Sequence, residues 1–289
     1  MTLNTRLHGM LLTGGGVLVL SPDAILIRLL DTDTATTLFY RGLAMGVGLF
    51  LFIGLRDRGL GRAFAQLRQP AGWGLALLFA ASNFGFVTAL AHTGVADTLG
   101  CLATASIFAA LFSALFLGER VPLRVWVVSI AIAAGLFLIA IGGTGDSSGR
   151  LAGIATAAAF GGAFVIMRAT GNGDTLPGLA GAGLLMMLIA WLPASPMAAG
   201  PQDIAVVAAL AVVLPTAFGL IGSGPRYLPA AEVSLLMLLE TVFGTLWAWW
   251  LLGESPAHAT LLAIVLILGS LALFFARQAT ASPEADAAP

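Results

Sequence analysis

One feature constrains this chain above all others: apolar stretches of about 20 residues follow one another with only short polar breaks between them. Wound as a helix at about 1.5 Å per residue, such a stretch matches the roughly 30 Å hydrocarbon core of a bilayer. With 59% hydrophobic and 9% charged residues, against about 25% charged in an ordinary soluble domain, the chain cannot cover itself with charge in water. Its solvent is lipid, and the expected fold class is an all-α integral membrane protein.

Spans are expected near 7–28, 34–55, 71–92, 95–117, 122–141, 150–168, 175–193, 204–224, 229–252 and 258–276, which is ten transmembrane helices. The connections are short and punctuated by Pro and Gly, as in Arg56 to Pro70, Gly142 to Gly149 and Pro193 to Asp203, and leave no room for a soluble domain. The first apolar segment follows Asn4, Thr5 and Arg6 like a signal peptide but runs past Leu20 without a small-residue cleavage site, so it reads as a retained span. The segment 278–289 reads as a disordered cytoplasmic tail.

Orientation follows from arginine, because the chain has no lysine. With a cytoplasmic N-terminus, that side receives Arg6, Arg56, Arg58, Arg62, Arg68, Arg120, Arg124, Arg168, Arg226 and Arg277, and the other side only Arg28 and Arg150. This asymmetry satisfies the positive-inside rule with both termini in the cytoplasm, as for a plasma (bacterial inner) membrane protein. The single cysteine, Cys101, excludes an intrachain disulfide, and a formal net charge of -1 gives no footprint for nucleic acid.

Segment 94–121 lies without gaps on segment 229–256. Asp97 meets Glu232, Ser106 meets Thr241, Phe108 meets Phe243, and Leu117-Gly118-Glu119 meets Leu252-Gly253-Glu254. The aligned helices are the fourth and ninth spans, an odd number of crossings apart, so they run in opposite directions. The expected organisation is two five-helix inverted repeats, residues 1–145 and 146–277, which produce states open to either side by exchanging the shapes of the halves about a midplane site.

At these residues the chain resembles the EamA-type branch of the drug/metabolite transporter superfamily, whose halves each end in Leu-x-x-Glu-Pro-Val-Phe leading to Leu-Gly-Glu. The second half has Leu239-Glu240-Thr241-Val242-Phe243, the first Ala105-Ser106-Ile107-Phe108, and Arg226 to Glu232 resembles the family's approach to the ninth span. Thr241 and Ser106 stand where the family often has proline, and Ala105 where it has an acid. A hydroxyl bonds back to its own helix where proline would kink it. The resemblance implies a ten-helix exporter of amino acids or related metabolites with a central cavity, nearest among its members to the aromatic amino acid exporters.

Polar groups at membrane depth are costly, so the few present are the candidate site. Glu240, near the middle of the ninth span, reads as a contact for a substrate amine, as a proton carrier, or as a structural carboxylate paired with Arg41. Asp23, after Ser21-Pro22, reads as a hinge with polar lining or as a simple helix end, and Arg41 as a structural cation that snorkels toward the surface or meets a carboxylate; Asp23, Arg41 and Glu240 are also the coupling or gating candidates. Ser82 and Asn83 offer donors and acceptors to a zwitterion, with hydrogen bonding between helices as the competing role, and His92, near the outer end of its span, is a cavity candidate set against a simply solvated histidine. Phe86 and Trp247 are candidate cavity walls for a bulky apolar side chain. Asp97 and Glu232 are explained by the dipole at the start of a helix, and Glu119 and Glu254 by the water boundary.

Gly171-Asn172-Gly173-Asp174 looks like the Gly-x-Gly-Asp of intramembrane aspartyl proteases, yet it lies in a connection and lacks a Tyr-Asp partner. No His-Glu-x-x-His and no Gly-x-x-x-x-Gly-Lys-Ser/Thr is present, which argues against a metalloprotease and a nucleotide-driven pump. The expectation is a secondary transporter and not an enzyme, without cofactor or metal and without an obligatory protein partner. Its partners are the bilayer and a small-molecule substrate; an exporter of drugs or other metabolites, and a channel, are the alternatives.

Overall fold

The computed structural model describes residues 3–123, 125–131, 134, 146–171, 173–253, 261–262, 264–266 and 268–269, and among these the regular structure is entirely helical. Seven helices are long and apolar enough to cross a membrane: Thr5–Arg28, Thr34–Asp57, Pro70–His92, Asp97–Phe116, Ser147–Ala169, Pro201–Arg226 and Ala230–Leu252. Leu176–Trp191 is a shorter apolar helix at the place of the expected seventh span. Residues 125–131 and parts of 261–269 are helical within the expected fifth and tenth spans; most of the rest of those two spans, Arg124 among it, and Glu254, Arg277 and the tail 278–289 lie outside the described residues.

In chain order the elements are α1 (Leu3–Leu20), α2 (Asp23–Arg28), α3 (Thr34–Asp57), α4 (Gly61–Leu67), α5 (Pro70–His92), α6 (Val95–Ala103), α7 (Ala105–Phe116), α8 (Ser147–Ala169), α9 (Leu176–Trp191), α10 (Pro201–Ser223), α11 (Ala230–Leu236) and α12 (Leu238–Leu252). Their starts are chemically marked. Asp33 caps α3 by accepting from the Ala35 and Thr36 amides at 2.9 and 3.0 Å. Pro70 and Pro201 occupy first turns, where the missing N–H has no partner to lose. Asp203 accepts from the amides of Gly200 and Asp31, which ties the start of α10 to the connection after α2.

Among the described residues three spans are broken. The Ser21-Pro22 turn separates α1 from α2, as expected of a proline at depth. The fourth and ninth spans, each expected as one helix, turn at Thr104 and Met237. At both breaks the ladder tightens to three-residue bonds, Thr104 N–H to the Cys101 carbonyl at 3.1 Å and Glu240 N–H to the Met237 carbonyl at 2.9 Å. The expected back-bonding holds for Ser106, whose hydroxyl donates to the Ala103 carbonyl, whereas Thr241 donates across to the Leu99 carbonyl at 3.1 Å. Both spans stop at a left-handed glycine, Gly118 (φ 64°) and Gly253 (φ 69°), a conformation in which a side chain would be strained.

Packing is governed by small residues. α3 lies along α9 so closely that a Cβ on Gly42 would sit 2.4 Å from the Met187 nitrogen and one on Gly183 2.4 Å from the Gly46 nitrogen. α5 packs on α8 and α1 on α10; α6 packs on α12 and α7 on α11, so the fourth and ninth spans cross antiparallel. Within this frame Phe79, Phe160, Phe164 and Phe218 form a continuous aromatic layer, with ring centroids 4.8 to 5.3 Å apart in successive pairs.

Candidate functional site

Above that aromatic layer the broken helices converge on a cavity of about 30 Å³, lined by Leu20, Asp23, Arg41, Ser82, Asn83, Phe86, Leu102, Thr156, Phe160, Phe218 and Glu240. Asp23 opens α2 just after the Ser21-Pro22 break, and Glu240 lies in the first turn of α12 just after the Met237 break. Both carboxylates therefore stand where exposed amides favour negative charge. Arg41 comes from α3, Ser82, Asn83 and Phe86 from α5, Thr156 and Phe160 from α8, and Phe218 from α10.

Arg41 is only 1% exposed and does not snorkel. Its Nη1 donates to Asp23 Oδ1 in a buried ion pair, and its Nη2 donates to Asn83 Oδ1 at 3.1 Å. The guanidinium carbon lies 5.8 Å from the centre of the Phe86 ring, within reach of its π face. Where the sequence offered Glu240 as a partner for Arg41, it is Asp23 that holds the guanidinium. Ser82 Oγ and Asn83 Nδ2 donate to the Phe79 carbonyl at 2.8 and 2.9 Å, and Thr156 Oγ1 to the Ala152 carbonyl at 2.8 Å.

The candidates named from sequence therefore divide. Asp23, Arg41, Ser82, Asn83, Phe86 and Glu240 line one cavity. Trp247 lies beside it: its indole N–H donates to Ser21 Oγ at 3.0 Å, and it borders an apolar groove of about 760 Å³ with Leu18, Phe243 and Trp250. His92 ends α5, exposed, away from the cavity lining. Thr156 and Phe218 were not singled out in the sequence, because a lone threonine and a phenylalanine in an apolar span carry no signal of their own.

The ends of the bundle are held by a second set of charges. Arg6 makes a bidentate pair with Glu232 at 2.7 and 2.8 Å, Arg168 pairs with Glu119 at 3.0 Å, and Asp174 is met by Arg56 and Arg226. Glu232 is thus more than a helix-start carboxylate, and Asp174, the acid of the protease-like sequence, serves an arginine cluster at the surface. At the opposite end Arg28 donates to the Thr93 carbonyl at 2.5 Å and Tyr40 to the Pro196 carbonyl at 2.7 Å. Among the described residues no group of three or more His, Cys, Asp or Glu is placed to hold a metal.

A polytopic helical membrane protein with a charged, nearly closed centre is the class that this geometry defines. The sequence model of the EamA-like transporter family matches residues 8–141 and again residues 147–276, and the chain belongs to that family. It is accordingly an integral membrane protein of a family whose members move small solutes. A solved crystal structure shares the fold with a TM-score of 0.75 at 21% identity, the match covering 96% of this chain and 100% of the other. No curated protein matches the sequence.

Proposed function

We propose that the chain is a secondary transporter that exports amino acids, aromatic ones included, or related small metabolites across the bacterial inner membrane. It works by alternating access of ten helices arranged as two inverted repeats, residues 1–145 and 146–277, with both termini cytoplasmic. The observation that carries the reading is the buried cluster of Asp23, Arg41, Asn83 and Glu240 around one cavity, with residues from both halves and aromatic walls. Charged groups at such depth are expensive and mark a solute path or its coupling site.

Several features support the repeat. The family model matches twice, once in each half. Gly118 and Gly253, aligned in the sequence, take the same left-handed conformation, and the spans that they end cross antiparallel. Gly9 packs on Tyr227 and Leu228 while Gly149 packs on His92 and Thr93, and these two pairs stand in the same register as Gly118 and Gly253. The arginine-rich end that carries Arg6, Arg56, Arg168 and Arg226 favours cytoplasmic termini.

A cavity of about 30 Å³ is far smaller than the roughly 300–1,000 Å³ of an ordinary ligand pocket, so the described state is shut around its site and a solute enters by separation of the halves. The test is counterflow of labelled phenylalanine and threonine into proteoliposomes carrying the purified protein. Saturable flux inhibited by other amino acids is expected; flux no greater than in empty liposomes sinks the amino-acid assignment.

A further inference from the structure

We infer that the group recognised at the centre of the bundle is an ammonium held by Glu240, and that a carboxylate on the solute is not needed for binding. The inference rests on the transport reading above and narrows its substrate class to primary amines with an apolar body, amino acids being accepted through their amine.

The argument starts from which polar groups are already occupied. Six polar side chains line the cavity: Asp23, Arg41, Ser82, Asn83, Thr156 and Glu240. Five of them are bonded within the protein, Asp23 to Arg41, Arg41 to Asn83, and Ser82, Asn83 and Thr156 to carbonyls of their own helices. Glu240, 4% exposed, has neither a hydrogen bond nor an ion pair among the described residues. Among the described residues it is the one polar side chain of the lining with no bonded partner at all.

Charge points the same way. Asp23 and Arg41 neutralise each other, so an ionised Glu240 leaves the site with a surplus negative charge. A buried carboxylate without a partner is strongly unfavourable, and a cation brought by the solute removes the penalty. A solute carboxylate has the opposite effect. Arg41 would have to grip it, but both of its terminal nitrogens already carry a bond, to Asp23 and to Asn83, and only Nε has none, so a bidentate carboxylate would have to share or displace those partners. Freeing the fork would strand Asp23 and add a second anion beside Glu240.

The walls agree. The shut state leaves about 30 Å³, room for about one or two waters, so the choice of head group falls to charge and not to volume. Phe86, Phe160 and Phe218 bound the same space, and their π faces attract a cation while their bodies accept an apolar substituent. A decarboxylated aromatic amine therefore fits the site as well as the parent amino acid, and the deaminated acid does not.

The experiment measures binding apart from flux. Purified full-length protein in detergent is heated with phenethylamine, phenylalanine or phenylpropionate near neutral pH, and phenethylamine is also used as a competitor in phenylalanine counterflow. Phenethylamine and phenylalanine are expected to raise the unfolding temperature and phenylpropionate to leave it unchanged. Glu240→Gln, which keeps the shape, is expected to weaken amine binding by about tenfold or more, the size of a lost charge-assisted hydrogen bond; Glu240→Asp, which keeps the charge, recovers part of it. Stabilisation by phenylpropionate without phenethylamine, or an amine effect intact in Glu240→Gln, overturns the inference whatever the flux shows. Amine binding without flux of amine or amino acid sinks only the transport reading.

Discussion

In the register proposed for the repeat, the two halves use the same packing and opposite chemistry. Matching Gly9 with Gly149 and Gly42 with Gly183 sets Asp23 against Ala163 and Arg41 against Ala182; the alignment of the fourth and ninth spans sets Glu240 against Ala105 and, extended back, Asn83 against Phe218. Ala105, Ala163 and Ala182 are as buried as the charges that they face in register. On that proposed register symmetry would be kept in the small residues and helix ends, and abandoned in the side chains of the proposed solute site. A carrier needs related halves to move but only one set of ligands to bind, and the difference between the halves separates those two demands.

The harshest test of that division is removal of half of the buried pair. Arg41→Ala leaves Asp23 charged and alone, and is expected to destabilise the protein by about 3–5 kcal/mol in detergent unfolding, whereas Asp23→Asn with Arg41→Met recovers most of the loss. A loss below about 1 kcal/mol for the single variant would mean that the charged side of the site is not what holds α2 to α3.

The shared packing is tested at the α3–α9 contact, where each half contributes a glycine. Gly42→Ala and Gly183→Ala each press a methyl into backbone at 2.4 Å, and each is expected to cost about 1–3 kcal/mol. Similar losses from the two halves sharpen the comparison; a loss from one alone breaks it.

Asp97 and Glu232 occupy aligned places with unlike surroundings. Glu232→Gln gives up the bidentate bond from Arg6 and is expected to cost about 1–2 kcal/mol. Asp97→Asn is expected to cost less than about 1 kcal/mol, since Asp97 has no ion pair or hydrogen bond among the described residues and meets only the charge of Arg150 through space. Equal losses in a melting series would erase the distinction.

The smallest effect belongs to a cap outside the membrane. The hydroxyl and amide of Thr36 hold the Asp33 carboxyl below its ordinary 3.8, so the folded state favours the ionised form. Its contribution, about 1 kcal/mol as a helix cap, is full above the unfolded value and fades as pH falls through the folded one. The gap between wild type and Asp33→Ala should close on acidification; a gap that widens reverses the assigned sign.

Much of the fold was legible in the sequence because lipid imposes a length rule: among the described residues, the seven helices long and apolar enough to cross a membrane, and the shorter Leu176–Trp191, all fall on expected spans. The helix breaks were less so. Thr104 and Met237 carry no proline, and their turns come from three-residue bonds that depend on the helices around them. In the site, Glu240, Asp23, Arg41, Ser82, Asn83 and Phe86 were found because polarity or size at depth is visible in one dimension. Which groups pair was not, since Asp23 is 18 positions from Arg41, on another span, and only the packing of α2 on its neighbours decides between Asp23 and Glu240. His92 drew attention by its chemistry alone, and its end-of-helix position put it at the surface.

The Asp23–Arg41 pair also bears on how the chain is made. Its members leave the ribosome on different spans, joined by the connection from Leu29 to Asp33. A carboxylate or guanidinium carried alone into the bilayer by one helix is penalised by about 2.5–3.5 kcal/mol at the helix centre. The first span by itself is thus a poor passenger, and the second repairs it by arriving. The pair therefore favours insertion of the first two spans as a hairpin, in which each charge enters lipid already matched by the other.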